Sequence, residues 1–519
     1  MRSFWVEAAA IAGGALFFAA SFPNPLVPEG LPFFAWFAYA PVFLVLRRTG
    51  LGPSVLWGAL YGWLSYSLFA PWLGSFHPWA GMGVSLFQLF CMALLFPVLR
   101  AALFFYPRRG YLVQWLLWLG FEYLRTLGFL GFPYGISGYS QWSFLPLIQI
   151  ASIFGVWGVS ALVVFPSAWL AGALEKKDFF RKERLPLLIW GGALGTALIF
   201  GIAVFPDYSG VPEAKIALIQ QNGDPWREDN RRSLKTLVSL SEEALAASPG
   251  ADLVVWPETA FVPRIYWNLR YRDNARSYPL VRELLDFLAP QEAPFLIGND
   301  DARMELVSGG YWDRVDYNGA LLFEGGEIKD VYRKMHLVPF AEYFPYEKIF
   351  PWVYQALLRS DTHFWKPGAE AVVFNTRGLR FSAPICFEDT FGYLSRDFAR
   401  RGAELFVNLT NDAWAQSLSC QMQHLSMAVF RAVENRRSLV RAAASGQTCA
   451  VDPAGRILSM AAPFVPAFLN VSVPLLKIRT PYTLWGDLWG IFFLLSAAGL
   501  LLTGTIKAIL DAIKTGRNI

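Results

Sequence analysis

Apolar residues fall along the chain in two different rhythms. Up to about residue 206, and again near the C-terminus, they form long runs broken by Pro, Gly or short charged stretches; between 213 and 475 they come in strand-length blocks. A helix crosses the hydrocarbon of a bilayer with roughly 20 mostly apolar residues. Eight windows of about that size occur, at 5–22, 31–46, 52–73, 81–105, 111–128, 147–173, 186–206 and 483–505. In the intervening segment KIALIQQ (215–221), DLVVW (252–256), FLIGN (295–299), YNGALLF (317–323), LRFSAPIC (379–386) and ELFVNLT (404–410) read as strands, several of them continuously apolar as doubly buried strands are. Leu234, Leu237, Val238 and Leu245 mark one face of a helix over 228–247, and Met422, Leu425, Met427 and Val429 predict another over 421–444. The pattern predicts a multi-pass helical membrane domain (1–212), an α/β layered domain (213–475), and an eighth transmembrane helix with a tail (476–519).

Composition agrees with that division. Of 519 residues, 55% are hydrophobic and only 16% charged, whereas a soluble domain is about a quarter charged. A cytosolic enzyme and a disordered chain are both excluded on these grounds. The net charge of +5 does not argue for nucleic acid, because much of the basic excess sits in short loops between apolar runs. Arg2, Arg47, Arg48, Arg108, Arg109, Lys176, Lys177, Arg181, Lys182, Arg184, Lys507, Lys514 and Arg517 all fall on one side of an eight-helix alternation, and the opposite loops 23–30, 74–80 and 129–146 carry no Lys or Arg. Positive loops stay in the cytoplasm. Both termini are therefore expected inside and residues 213–475 outside. Small residues Ala19, Ala20 and Ser21 resemble a leader-cleavage site, but a single Arg2 precedes the run, and the first helix is read as retained. On the fifth helix Glu122 and Arg125 are three apart, share a face, and are expected to pair. Cys91, Cys386, Cys420 and Cys449 form no CxxC pair and the four histidines show no ligand spacing, so neither a disulfide scaffold, a metal nor a cofactor is expected.

Three positions carry candidate chemistry. Glu258 follows the apolar LVVWP, where Pro257 cannot continue a central strand, so a carboxylate is presented at a strand end. Lys334 lies between the polar hairpin EGGEIKDVY and an apolar run. Cys386 ends a strand pattern and precedes Phe387, Glu388 and Asp389; at such an elbow a backbone N–H and a helix start favour thiolate and oxyanion alike. Singly these signals are weak. A cysteine on a strand is more often a small core residue, a Glu after a strand a solvated turn, and a Lys beside a hairpin a surface charge.

Together, and in order, they are specific. WPET (256–259), YRKMHLVPFAEYFP (332–345) and APICFED (383–389) resemble the Glu, Lys and Cys motifs of the nitrilase superfamily, and YNGALLF, VNLTNDAW (407–414) and QHLSMAVFRAVENRRSLVRAAASG (423–446) resemble further segments of that domain. The eight-helix frame is similar to the bacterial apolipoprotein N-acyltransferases, which hold a nitrilase-like αββα sandwich between the seventh and eighth helices on the periplasmic side of the inner membrane. EYLRT, GFPYG, GYSQ and GVWGVSALVV are similar to that family's membrane segments. Two departures stand out: Phe387 occupies a position where tyrosine is common, and QSLSCQMQH (416–424) lacks a proline before its QH.

The resemblance implies transfer of an acyl chain from a phospholipid, typically phosphatidylethanolamine, through a cysteine thioester to the α-amine of the diacylglyceryl-cysteine that starts an apolipoprotein. It implies Glu258 as base, Lys334 and a backbone N–H as oxyanion donors, and Cys386 as nucleophile. Glu342, Glu388 and Phe387 would support them, and Trp226, Asn318, Tyr343 and Asn411 would meet substrate. FVPRIYWNLRY (261–271) and EYFPYEKIFPWVYQALL (342–358) mix aromatic, aliphatic and basic residues as interfacial elements do. Two other readings of the same residues are a membrane-anchored nitrilase-type amidase and an inactive nitrilase-like ligand-binding domain on a transporter or sensor. A single anchor helix would suffice for the first, and the presence of all three catalytic residue types speaks against the second.

Overall fold

The structure, a computed structural model, describes residues 2–76, 78–175, 178–272, 274–307, 310–359 and 362–515. It divides into two compact units: Met1–Phe205 with Ser417–Phe430 and Trp485–Ile519, and Pro206–Gln416 with Arg431–Leu484. The predicted segment 213–475 thus corresponds to most of the second unit, less the stretch from 417 to 430.

In the first unit every apolar window contains a helix: Arg2–Ser21, Ala40–Arg48, Leu51–Phe69, Pro78–Phe105, Gly110–Leu124, Ala151–Glu175, Arg184–Ala203 and Leu488–Thr515. Five stretches, Phe4–Ser21, Trp79–Phe105, Ala151–Glu175, Arg184–Ala203 and Leu488–Thr515, are long and apolar enough to cross a bilayer. The remaining three windows hold helices of 9, 19 and 15 residues. The 31–46 window is interrupted because Pro32 opens a separate 3₁₀ turn, Pro32–Trp36, before Ala40–Arg48 begins. Basic loop residues gather on two carboxylates: Arg47 on Glu175 (2.5 Å), and Arg108 and Arg109 on the buried Glu183 (3.2 and 3.4 Å). Lys176, Lys177 and Arg517, part of the charge pattern, lie outside the described residues.

The expected Glu122–Arg125 pair is corrected. Buried Glu122 accepts through Oε1 from the backbone N–H (3.0 Å) and the hydroxyl of Ser137. Arg125 donates to the carbonyls of Phe132 (Nε, 3.2 Å) and Tyr134 and lies over the Tyr66 ring. The reason is local. The helix stops at Leu124, Arg125 is its C-cap, and its guanidinium turns to the carbonyls of the loop that follows.

Among its described residues the second unit contains twelve strands: β1 (Glu213–Gln220), β2 (Leu253–Val255), β3 (Phe295–Leu306), β4 (Trp312–Glu324), β5 (Glu327–Arg333), β6 (Phe374–Thr376), β7 (Leu379–Ser382), β8 (Leu405–Thr410), β9 (Ser438–Ala443), β10 (Cys449–Val451), β11 (Ile457–Met460) and β12 (Ala467–Pro474). They form two six-stranded sheets, ordered β12-β1-β2-β3-β4-β5 and β11-β10-β9-β8-β7-β6. Parallel neighbours need a crossover, and helices supply it: Asn230–Ala247 between β1 and β2, Ser277–Leu288 between β2 and β3, Gly392–Arg400 between β7 and β8, and Leu418–Asn435 between β8 and β9. This is the expected αββα sandwich. Asp229 caps Asn230–Ala247 by accepting from Arg231 N and Arg232 N, and Leu234 and Leu237 pack into a core with Val254, Trp256, Phe295 and Leu321.

Two sequence-based boundaries move. The helix predicted over 421–444 ends at Asn435; Arg436 adopts positive φ (52°) and Ser438–Ala443 becomes β9. The strand predicted over 379–386 ends at Ser382, with Ile385 keeping only an isolated bridge to Leu409.

Candidate active site

Strand ends of both sheets converge on one site. β2, β7 and β8 end just before Glu258, Cys386 and Asn411, and β5 ends just before Lys334. Pro257 closes β2, and Gly298 on the neighbouring β3 makes room for the turn that follows, since a Cβ there would collide with the Pro257 carbonyl and the Glu258 Cα. The β4–β5 hairpin turns on Gly325 and Gly326, both at positive φ (55° and 79°), which sets the register that delivers Lys334.

The fully buried Lys334 ammonium donates to Glu342 Oε1 (2.8 Å) and Glu258 Oε1 (3.2 Å). Glu258, itself buried, also accepts from the Asn318 side-chain amide (2.8 Å) and, through Oε2, from the Asn411 backbone N–H (2.9 Å). Glu342 Oε2 accepts from Val338 N (2.9 Å). Burial alone would lower the Lys334 pKa, but the Glu258 and Glu342 carboxylates hold it well above the usual lysine value. Burial raises that of Glu342 against the pull of Lys334. His336, two residues on, is pushed down to about 4 by burial and by Lys334, so it is neutral at pH 7.

Cys386 opens the 3₁₀ turn Cys386–Thr390 at positive φ (50°), a strained conformation for a non-glycine residue. Burial pushes its thiol well above the ordinary range; the Glu258 carboxylate adds to this and the Lys334 ammonium opposes it. The expectation that the elbow favours thiolate is therefore reversed, because desolvation outweighs the nearby donors. Glu388 does not reach Lys334. It accepts from Met335 N (2.7 Å), His336 N (3.0 Å), Ile385 N (2.8 Å) and the Tyr332 hydroxyl (2.8 Å), clipping the Lys334 segment to the cysteine turn. Phe387 is buried against Phe391.

The four residues expected at substrate separate. Asn318 binds Glu258, and Asn411 does so through its backbone while its side chain accepts from Ala413 N (3.2 Å). Trp226 is exposed, its ring 6.2 Å from that of Trp365, whose backbone N–H reaches the Glu342 carbonyl. Tyr343 is half-buried and its carbonyl accepts from Phe340 N. Of the two interfacial segments, 261–271 is partly core, with Phe261 and Ile265 buried, whereas the helix Pro351–Arg359 buries none of its residues and exposes Trp352 by 72%. Sequence reasoning missed Gly298 and the buried Arg441, which binds Asp389 (2.6 Å) and Asp412 (2.9 Å). A lone charge inside the apolar SLVRAA was the available signal.

Comparison with known proteins follows the same two-part division. Residues 13–169 match the apolipoprotein N-acyltransferase N-terminal domain and residues 215–479 match the carbon-nitrogen hydrolase family. The chain is 50% identical to apolipoprotein N-acyltransferase 1 of Treponema pallidum (strain Nichols), over 96% of this chain and 95% of that one. It is 46% identical to apolipoprotein N-acyltransferase 1 of Treponema denticola over 92% of each chain, and 34% identical to the apolipoprotein N-acyltransferase of Geobacter metallireducens over 91% and 90%. Because identity at this level runs through the apolar helices and the two-sheet unit alike, the chain belongs to the apolipoprotein N-acyltransferase family.

Proposed function

We propose that Glu258, Lys334 and Cys386 carry out the N-acylation of lipoproteins that membership in this family of membrane enzymes assigns to the chain, with a membrane phospholipid as acyl donor. The observation that carries this reading is a buried ammonium held between two carboxylates and acting on the Cys386 thiol, whose burial disfavours the thiolate. Such a thiol needs a base; of the two carboxylates that act on it electrostatically, Glu258 and Asp412, Glu258 acts more strongly and is the one bonded to Lys334. Glu258 takes the Sγ proton as sulfur attacks an ester carbonyl of the phospholipid. Lys334 and a backbone N–H after Cys386 hold the developing oxyanion. The C–O bond then breaks, lysophospholipid leaves with the proton returned by Glu258, and a thioester remains on Cys386. The neutral α-amine of the diacylglyceryl-cysteine attacks that thioester, a C–N bond replaces the C–S bond, and Glu258 passes the amine proton to the departing sulfur. No cofactor enters the scheme. Glu342 orients Lys334, Glu388 and Phe387 hold the cysteine turn, and Asn318 and Asn411 fix the base, while Trp226, Tyr343 and the exposed aromatics of 342–358 meet lipid.

In this reading residues 1–212 and 476–519 form an eight-helix domain of the cytoplasmic (inner) membrane, and 213–475 face the periplasm. The test is transfer of a labelled acyl chain from phosphatidylethanolamine to a diacylglyceryl-peptide by purified protein. Cys386→Ala should abolish it, and Cys91→Ser, Cys420→Ser and Cys449→Ser should keep most of it; transfer that survives Cys386→Ala overturns the thioester route. Cysteine-accessibility labelling in cells should find 23–30, 129–146 and 213–475 outside and 174–185 inside. Labelling of 213–475 from the cytoplasm would remove the substrate assignment.

A further inference from the structure

Arg441 lies on β9, fully buried, in register with Asn408 of β8. Its guanidinium holds two buried carboxylates from different elements. Nη1 donates to Asp389 Oδ2 (2.6 Å), in the same 3₁₀ turn as Cys386, and Nη2 donates to Asp412 Oδ2 (2.9 Å), in the loop after β8. The residue before Asp412 is Asn411, whose backbone N–H donates to Glu258 Oε2. One planar fork therefore spans the turn that carries the thiol and the loop that holds the carboxylate. We infer that Arg441 is a positioning residue that sets the separation of Cys386 and Glu258 by tying Asp389 to Asp412.

This inference rests on the proposed roles of Cys386 and Glu258. Its physical basis is geometric. Two parallel N–H donors on one rigid plane fix the relative position of two carboxylates, which a lysine ammonium cannot reproduce although it keeps the charge. The arrangement complements Glu388, which fastens the cysteine turn to the Lys334 segment. Base and oxyanion donor are each tied to the nucleophile by a separate buried carboxylate clip.

The test is the rate of Cys386 alkylation by iodoacetamide, read by mass spectrometry of the Cys386 peptide in the full-length detergent-solubilised protein, from pH 6 to 10. Arg441→Lys should slow alkylation at pH 7 by roughly 10- to 100-fold, the scale of a misplacement of about 1 Å, and the loss should shrink as the pH rises and hydroxide takes over from the base. In a Glu258→Gln background the same substitution should change the rate little, because there is no base left to misplace. A loss equally large with and without Glu258, or a pH profile unchanged by Arg441→Lys, would overturn the inference. If Arg441→Lys does not fold, Asp389→Asn, which keeps the Asp412–Arg441 contact, is put through the same cycle with the same two criteria. Failure of the underlying reading is separable, since Glu258→Gln alone would then leave alkylation at pH 7 unchanged.

Discussion

The two units surround their interior charges differently. In the helical interior of the first, Glu122 bonds Ser137, half-buried Arg125 the Phe132 and Tyr134 carbonyls, and Gln423 the Pro23 and Phe69 carbonyls and the Trp72 indole, and ion pairs sit with the basic loops, as in Arg108 and Arg109 with Glu183. In the second, several buried charges around the candidate site meet opposite charges directly, as in Lys334 with Glu258 and Glu342, and Arg441 with Asp389 and Asp412, while Glu388 is held by neutral donors. In an apolar helical unit the loop and helix-end carbonyls are the groups that lack partners, so an arginine is most useful there. Between two sheets the ladders satisfy the backbone, and side-chain charges must compensate each other. Among the described residues, a buried lysine shared between two carboxylates lies in the second unit.

Removing Lys334 should break that contrast most severely. Lys334→Ala leaves two buried carboxylates facing each other without their cation, and turnover should fall by about two to three orders of magnitude, the scale of a lost oxyanion donor. Cys386 should stay alkylatable but react more slowly, because the ammonium that opposes the rise in its pKa is gone; unchanged turnover in an acyl-transfer assay would exclude the assigned role. Next comes Gly298→Ala, which forces the Glu258 turn off β3. Acyl transfer should drop by at least tenfold with the second unit still folded by circular dichroism, and full activity would mean that the turn has slack the packing denies.

The pH response sharpens the comparison further. A raised thiol pKa leaves Cys386 protonated, and dependent on its base, over a wider pH range, so iodoacetamide labelling should still climb past pH 10, where an ordinary thiol of pKa roughly 8.5 has levelled off. Glu258→Gln removes a base and also a negative neighbour. It should lower the rate at pH 7 while moving the midpoint of the profile downward; a shift upward would contradict the electrostatics of the site. The smallest effect belongs to the first unit. A double-mutant cycle on Glu122 and Arg125, read by thermal unfolding, should show coupling of less than about 0.5 kcal/mol, against about 1–3 kcal/mol for Lys334 with Glu342. Equal couplings would erase the distinction between the units.

How far the sequence could be read follows the same physics. Apolar windows located a helix each time because composition alone decides what a bilayer accepts, and the strands before Glu258 and Asn411 were visible as continuous apolar runs. Pairing was legible only where it is local. Glu122 and Arg125 looked paired by spacing, but the helix ends between them and their loop partners, and no periodicity reports that. Arg441 fell inside the segment read as a helix over 421–444, yet its two partners come from 29 and 52 residues away. Gly298 gave no signal, since its role is to be absent where another backbone passes. The thiol's protonation was misread because burial, which a sequence does not display, outweighs the turn's donors.

The most direct test of the account is to incubate the purified protein with acyl-labelled phosphatidylethanolamine in the absence of any peptide acceptor and map covalent adducts by mass spectrometry. The account predicts a hydroxylamine-sensitive acyl thioester on Cys386 that forms with release of lysophospholipid and disappears when a diacylglyceryl-peptide is added. Peptide acylation that proceeds with no adduct on Cys386, or an adduct on another residue that turns over at the same rate, would contradict it.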